Sequence, residues 1–396
     1  MKINQITETI QYIGMADNTL DLFESQYAIP NGVTYNSYLI RDDKIAIMDT
    51  VDARMADEWI ALLDQNLKDI TPDYLVISHM EPDHSGTIGI LLNKYPKMTV
   101  VGNEKTFRML TQFFPVDLDG RSKLVKEGDI LNLGYHKLHF YMAPMVHWPE
   151  VMVTYDETEH VLFTADAFGT FGILDSEKEW IVDARRYYIN IVGKYGSQVQ
   201  ALLKKVCPLT ISILCSLHGP VLKDNLSYYL DKYNTWSSYT PEDEGILIAY
   251  ASIHGHTAAA AKELGNILQG KGAKNVILRD LTRSDLSEVI ENAYRYDRMV
   301  LACSTYDGNL FPVMEDFLSH LKAKNYQKRT VGIMENGSWA PMAGKKIKES
   351  LESMKEITIC DPIISIKSAM SDQNLLDMDA LATRLLTNNS THTCTN

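Results

Sequence analysis

Cysteine is scarce in this chain. Five residues, Cys207, Cys215, Cys303, Cys360 and Cys394, are scattered through 396 positions, and no two stand at C-x-x-C spacing. Neither a rubredoxin-type iron site nor a thiolate cluster is therefore encoded. Free thiols in a reducing, cytoplasmic setting are expected. Long hydrophobic runs are missing too: none approaches a membrane span, and Met1 to Met15 lacks the apolar core of a signal peptide. Positive charge is in deficit. Lys and Arg number 38 against 51 Asp and Glu, a formal net charge of −13, which argues against nucleic acid or an anionic membrane as partner. There is no internal repeat, and the Ser/Thr/Asn-rich end from Thr387 to Asn396 is expected to fray.

What is present is the composition of a soluble globular protein, 45% hydrophobic and 22% charged, long enough for two domains that each bury a core. The stretch that organises the first is His79-Met80-Glu81-Pro82-Asp83-His84-Ser85-Gly86. It follows Tyr74-Leu75-Val76-Ile77-Ser78, an apolar, β-branched run that reads as a buried strand. Pro82 resists helix at that point, and Ser85-Gly86 leads into a helix over Thr87 to Asn93. A strand-end loop of this kind can aim His79 and Glu81 at one point and Asp83 and His84 at a neighbouring one, the geometry two adjacent metal ions need. The plainer reading is a polar loop whose histidines cap and hydrogen-bond, against which stands the density of two His and two carboxylates within six residues.

Around this stretch the first part of the chain is β-rich. Strands are expected at Ser37–Ile40, Lys44–Asp49, Thr99–Val101 and Leu138–Met142, with helices over Met55–Leu67 and Thr106–Phe113. A hairpin pairs Val151–Tyr155 with His160–Thr164. Three further ligand candidates close such strands: His147 in Val146-His147-Trp148-Pro149, Asp166 in Thr164-Ala165-Asp166, and His218 after the apolar run Thr210–Cys215. Taken singly, each has an ordinary explanation as a turn cap. His136, His139 and His160 are expected at the surface or in strands, and Trp148 in the core or beside the ligands. Tyr195, in Gly193-Lys194-Tyr195-Gly196, is a candidate hydrogen-bond donor to a substrate pocket.

A polar stretch from Thr235 to Gly245 reads as a linker, which divides the chain into domains of residues 1–244 and 245–396. Beyond it, strands Ile246–Tyr250, Asn275–Leu278, Met299–Ala302, Thr330–Ile333 and Pro362–Ile366 alternate with helices, Ala258–Leu268 first and Gln373–Leu386 last. Five strands so arranged argue a doubly wound parallel sheet of the flavodoxin-like type. Its first strand-to-helix turn, Ser252-Ile253-His254-Gly255-His256-Thr257, combines hydroxyls with a glycine at a helix N-terminus, an anion site. His254 and His256 are read there as donors rather than metal ligands. Two more sheet-top loops carry small polar residues and an aromatic able to stack on a flavin: Ser304-Thr305-Tyr306-Asp307-Gly308-Asn309 and Asn336-Gly337-Ser338-Trp339.

The spacing H-x-E-x-D-H resembles the binuclear-metal signature of the metallo-β-lactamase superfamily, H-x-H-x-D-H, with Glu81 in place of the second histidine. Two imidazoles suit zinc; an anionic oxygen suits harder iron. The turn Ser252–Thr257 resembles the flavodoxin phosphate loop. Joined in this order, the two halves resemble the flavodiiron proteins, or A-type flavoproteins. The resemblance implies an α/β chain in which a metallo-β-lactamase-like αβ/βα sandwich precedes a flavodoxin-like sheet. It also implies a ligand set: His79, Glu81 and His147 on one iron, Asp83, His84 and His218 on the other, Asp166 bridging. FMN would lie on the three loops of the second domain.

The family further implies reduction of dioxygen to water, of nitric oxide to nitrous oxide, or both, fed by a rubredoxin-like protein, a flavin reductase or a reduced cofactor. It implies a head-to-tail homodimer or dimer of dimers, in which one subunit's FMN faces its partner's irons. Two other classes fit some of the residues. A binuclear zinc hydrolase fused to a flavodoxin domain would use nearly the same ligands, with Glu81 and the flavin domain against it. A non-catalytic electron carrier, its first domain only docking partners, leaves seven convergent ligands unexplained.

Overall fold

Apolar residues of two sheets face one another in the first half of the chain. In the computed structural model, which describes residues 4–387 apart from Asp69 and Asp175, the chain divides into two units, Met1–Ser237 and Ser238–Asn396. Thr387 onward, where fraying is expected, lies outside the described residues except for Thr387 itself, which ends the last helix, Asp372–Thr387.

The first unit holds a seven-stranded sheet in the order Asn4–Gln5, Ile10–Tyr12, Tyr38–Ile40, Ala46–Met48, Tyr74–Val76, Thr99–Gly102 and Ser122–Leu124. Its first four strands pair antiparallel and the rest parallel. A five-stranded sheet runs Ile130–Asn132, Lys137–Met142, Met152–Asp156, Val161–Phe163 and Ile213–Cys215, only the last pair parallel. Alternate residues meet between them: Ile40, Met48, Val76 and Val101 from the first sheet, Leu138, Phe140, Val161 and Phe163 from the second. On the other face of the first sheet Ile47, Leu75 and Val100 are equally buried, as strands covered on both sides must be. This is the expected sandwich.

The second unit is a sheet of five parallel strands in the order Val276–Asp280, Asp243–Ala251, Tyr296–Tyr306, Gln327–Asn336 and Lys355–Ile366. Numbered along the chain that order is 2-1-3-4-5, the flavodoxin-like one. A sixth short strand, Asn309–Leu310, folds back antiparallel on Thr305–Tyr306.

Several expectations are corrected. Pro82 does not hold helix off: it opens the short helix Pro82–Ser85, at the position where its missing N–H is not needed. The following helix is Ile88–Lys94. The strands of the second unit run longer than their apolar centres, the third reaching Tyr306. The polar stretch read as linker is partly structured, since one helix spans Leu226–Ser237 and a strand begins at Asp243. No described helix is long and apolar enough to cross a membrane.

Candidate functional site

The strand Tyr74–Val76 delivers the chain to one end of the sandwich, where the two sheets touch through Met152 N–H donating to Ser78 O at 3.2 Å. Asp49, at the end of the neighbouring strand, accepts the N–H groups of Ser78 at 2.6 Å and His79 at 3.3 Å. Glu81 caps the short helix with its backbone, its carbonyl accepting from His84 and Ser85 N–H at 2.9 Å each. Thr50 fixes His84 from outside, giving both its N–H and its hydroxyl to the His84 carbonyl. Gly86 is required here: a Cβ would lie 2.6 Å from the backbone nitrogen of Ala53.

All seven residues named from the sequence converge on this end, in two adjoining groups. One comprises His79, Glu81, His147 and Asp166, the other Asp83, His84 and His218. In the first, His147 Nε2 lies 3.0 Å from Glu81 Oε2 and 2.9 Å from Asp166 Oδ2, and His79 Nε2 lies 3.2 Å from Glu81 Oε2. In the second, His84 Nε2 and His218 Nε2 each lie 3.3 Å from Asp83 Oδ2. Asp166 stands between the groups. Its Oδ2 faces His79 and His147, and its Oδ1 faces His84 at 3.3 Å and His218 at 3.9 Å.

The donor set fits metal ions better than it fits itself. Both oxygens of Asp83, Oδ1 of Asp166 and Nε2 of His147 are buried and, despite these short distances, none is in hydrogen-bonding geometry with a partner among the described residues, an arrangement proteins otherwise avoid. Charge tells the same story. Burial pulls the His147 imidazole down, but the Asp166 and Glu81 carboxylates outweigh it and hold the pKa at about 9. Burial likewise opposes ionisation of Asp166, yet His79, His147 and His84 keep its carboxyl well below the usual range. Without metal, protons on His79, His84 and His147 are the counter-charge to the carboxylates; metal ions would replace them.

Aromatic rings wall one side. Phe23, Tyr187 and Tyr35 have centroids 5.3, 5.5 and 6.2 Å from that of His218. A cleft of about 310 Å³ opens beside Glu81 and Asp83, lined also by Leu20, Glu24, Ser25 and Arg54. Trp148 stands edge-on to His79, centroids 5.3 Å apart. Tyr195 is half-buried ahead of the helix Gly196–Val206 with Lys194 Nζ 5.7 Å over its ring. Among the described residues it makes no hydrogen bond or ring contact with the seven. His136 corrects its expectation: it is fully buried, its Nδ1 3.0 Å from Asp156 Oδ2 and its Nε2 2.9 Å from Thr9 Oγ1.

Sequence reasoning misses Glu150. It is 1% exposed, and its Oε1 lies 2.7 Å from His79 Nδ1. The only signal is an acidic residue heading the apolar run from Val151; Asp49, closing the strand Ala46–Met48, carries the same signal.

In the second unit Gly255 sits at φ +92° ahead of the helix His256–Gly270, and its N–H donates to Ser252 Oγ at 3.1 Å. Thr257 Oγ1 lies 2.8 Å from Ser304 Oγ, joining the first loop to the second. Thr305 Oγ1 accepts from Met342 N–H, and Asn336 pairs in both directions with the backbone of Ser368. Asp307 and Gly308, both at positive φ, form the turn of a tight hairpin between Tyr306 and Asn309. Gly337 N–H donates to Ile366 O, and Ser338 Oγ meets Ser368 Oγ at 2.5 Å. Ile253, His254, His256, Tyr306 and Trp339 are exposed, Trp339 to 83%. Hydroxyls, N–H groups and exposed rings thus gather at one edge of the sheet, as a flavin phosphate and ring would need.

A sandwich with two candidate metal groups joined to a flavodoxin-like sheet defines a class, and comparison with known proteins shows what the chain is similar to. The ODP family beta lactamase profile matches residues 33–219. Diflavin flavoprotein A 1 of Synechocystis is 32% identical over 77% of this chain and 54% of its own length. The anaerobic nitric oxide reductase flavorubredoxin of Vibrio vulnificus is 27% identical over 84% of this chain and 70% of its own. A flavo di-iron protein variant of Thermotoga maritima superposes with a TM-score of 0.86 at 25% identity, covering 95% of this chain and 96% of that one. In sequence and in fold the chain is similar to the flavodiiron proteins. It spans about half the length of the diflavin flavoproteins it matches.

Proposed function

We propose that this chain reduces dioxygen to water, nitric oxide to nitrous oxide, or both, at two irons in its first unit, with electrons reaching them through FMN bound by the second. The observation that carries this reading is Asp166, which turns one oxygen to each of two ligand groups, beside a glutamate, Glu81, in the first group. His79, Glu81 and His147 would hold one iron and Asp83, His84 and His218 the other. The irons supply Lewis acidity and one-electron redox steps, and the flavin supplies the electron relay.

The chain's own residues do the rest. Seven ligand side chains fix the spacing of two substrate positions, so that two nitric oxide molecules or the two ends of one dioxygen can be gathered together. Phe23, Tyr35 and Tyr187 exclude water from the His218 side, and the cleft beside Glu81 admits a diatomic molecule. Ser252 to Thr257 would hold the FMN phosphate, with Ser304 to Asn309 and Asn336 to Trp339 around the ring.

The electron donor is a separate molecule: a rubredoxin-like protein, a flavin reductase or a reduced cofactor. The Vibrio relative carries nitric oxide reduction in its name, and the same chemistry is extended to this chain. A head-to-tail homodimer, alone or paired, would set one subunit's flavin against its partner's irons in the cytoplasm. Monomers with full activity in sedimentation would overturn that arrangement.

The test is metal and flavin content after purification without added metal, then consumption of O2 and NO with a reduced donor. About two irons and one FMN per chain, with turnover of either gas, is the expected result. Zinc that persists after reconstitution with ferrous iron, with neither gas consumed, would return the chain to the hydrolase class.

A further inference from the structure

By ligand type the two halves of the centre are equal. Each has two histidines and one carboxylate of its own, and they share Asp166. The protein treats the far nitrogens of those histidines differently. His79 turns Nε2 to the centre, and its Nδ1 meets Glu150 Oε1 at 2.7 Å. His218 turns Nε2 to the centre as well, but its Nδ1 meets a neutral backbone carbonyl, Thr34 O, at 2.7 Å. His84 Nδ1 is buried with no hydrogen-bond partner among the described residues.

The Glu150 contact fixes a proton. Oε1 also accepts Met80 N–H at 2.9 Å. An oxygen already accepting a backbone N–H is the acceptor towards the imidazole too, so His79 carries a hydrogen on Nδ1 and leaves Nε2 as the nitrogen whose lone pair a metal ion would take. Glu150 is itself held in place, since Asn103 Nδ2 donates to its backbone carbonyl at 2.5 Å and the side chain is walled from solvent. An imidazole that donates to a carboxylate gains anionic character and becomes a stronger ligand; one that donates to a peptide carbonyl gains much less.

We infer that Glu150 is a positioning residue that makes the two metal positions unequal. Through His79 it strengthens binding at the position held by His79, Glu81 and His147 and favours the higher oxidation state there, relative to the position held by Asp83, His84 and His218. The inference rests on reading the cluster as a two-metal centre.

The test uses cobalt(II) alone, titrated anaerobically into the metal-free full chain and followed by its ligand-field absorption. Two ions should bind per chain, one more tightly. In Glu150→Gln the tighter step should weaken by about 10–100-fold while the weaker step stays within about twofold. Glu150→Asp, which keeps the charge, should lose less, and again at the tighter step only. It also serves if the Gln variant fails to fold by circular dichroism. Mössbauer spectra of the iron-loaded chain should then show the first-oxidised iron to be the one perturbed by the Gln variant. Two ions bound in the wild type, with no change in the variants or with both steps weakened alike, would overturn the role of Glu150. Fewer than two ions in the wild type would overturn the two-metal reading itself, and this inference with it.

Discussion

His84 Nε2 and His218 Nε2 lie 3.0 Å apart with both rings buried. Two metal–nitrogen bonds of about 2.1 Å meeting at a right angle place their nitrogens about 3.0 Å apart, so a spacing that an N–H···N hydrogen bond holds here also suits two ligands on one ion. Replacing His218 by alanine should therefore cost one ion of the two. Iron per chain is expected to fall from about two to about one, and gas reduction by at least about 100-fold, the upper end of the loss seen on removing a mere outer partner. Metal analysis beside an oxygen-electrode assay checks it.

Metal-free protein should lose stability as the pH rises. His147 titrates at about 9 when folded, against an ordinary value of 6.5. A pKa raised by folding stabilises fully below 6.5, and that contribution disappears as the pH climbs through 9. The loss is on the order of 3 kcal/mol. Bound metal replaces the proton, so the loaded chain should hold its Tm over the same window. Calorimetry from pH 6 to 10 with and without chelator gives the comparison; a metal-free Tm that stays level would contradict the assignment.

Gly255→Ala separates flavin binding from the metal centre. At φ +92° an added methyl meets no atom within 4 Å, so its cost is backbone strain alone, about 1 kcal/mol. The second unit should melt a few degrees lower, FMN should bind more weakly as the loop N–H groups re-aim, and iron content should not change. Fluorescence titration of FMN measures the second effect, metal analysis the third.

Trp339→Ala should leave stability within about 0.5 kcal/mol, because a ring that is 83% exposed packs against little of its own chain. If the ring stacks on the flavin, the bound flavin's absorption and redox potential should shift. An unchanged flavin spectrum and potential would remove Trp339 from the site.

Of the seven candidate ligands, three are legible because each follows an apolar strand, and the other four because they crowd into the six residues from His79 to His84. The alternation of strand and helix after Gly245 reveals the second sheet for a similar reason, since buried parallel strands are continuous apolar runs. Other parts hide in tertiary contacts. Nothing near Glu150 says that its partner is His79, seventy-one residues away. Asp49 and Asp166 both end buried strands; only the three-dimensional arrangement makes one accept backbone N–H groups and the other face four histidines. His136 reads as a surface or strand residue because its partners, Asp156 and Thr9, lie on other segments. Pro82 misleads because the same ring that breaks a helix interior suits its first position.

The separation of the ligands along the chain also governs when the centre can form. His84 and His218 are 134 residues apart. At the usual pace of about 5–20 residues per second, the ribosome needs on the order of ten seconds to make the second after the first. During that interval a nascent chain offers His79, Glu81, Asp83 and His84 without the residues that complete either metal position. Neither metal position can therefore be completed before Asp166 and His218 have been made, and the first unit must close its sandwich over a long loop before metal adds anything to its stability.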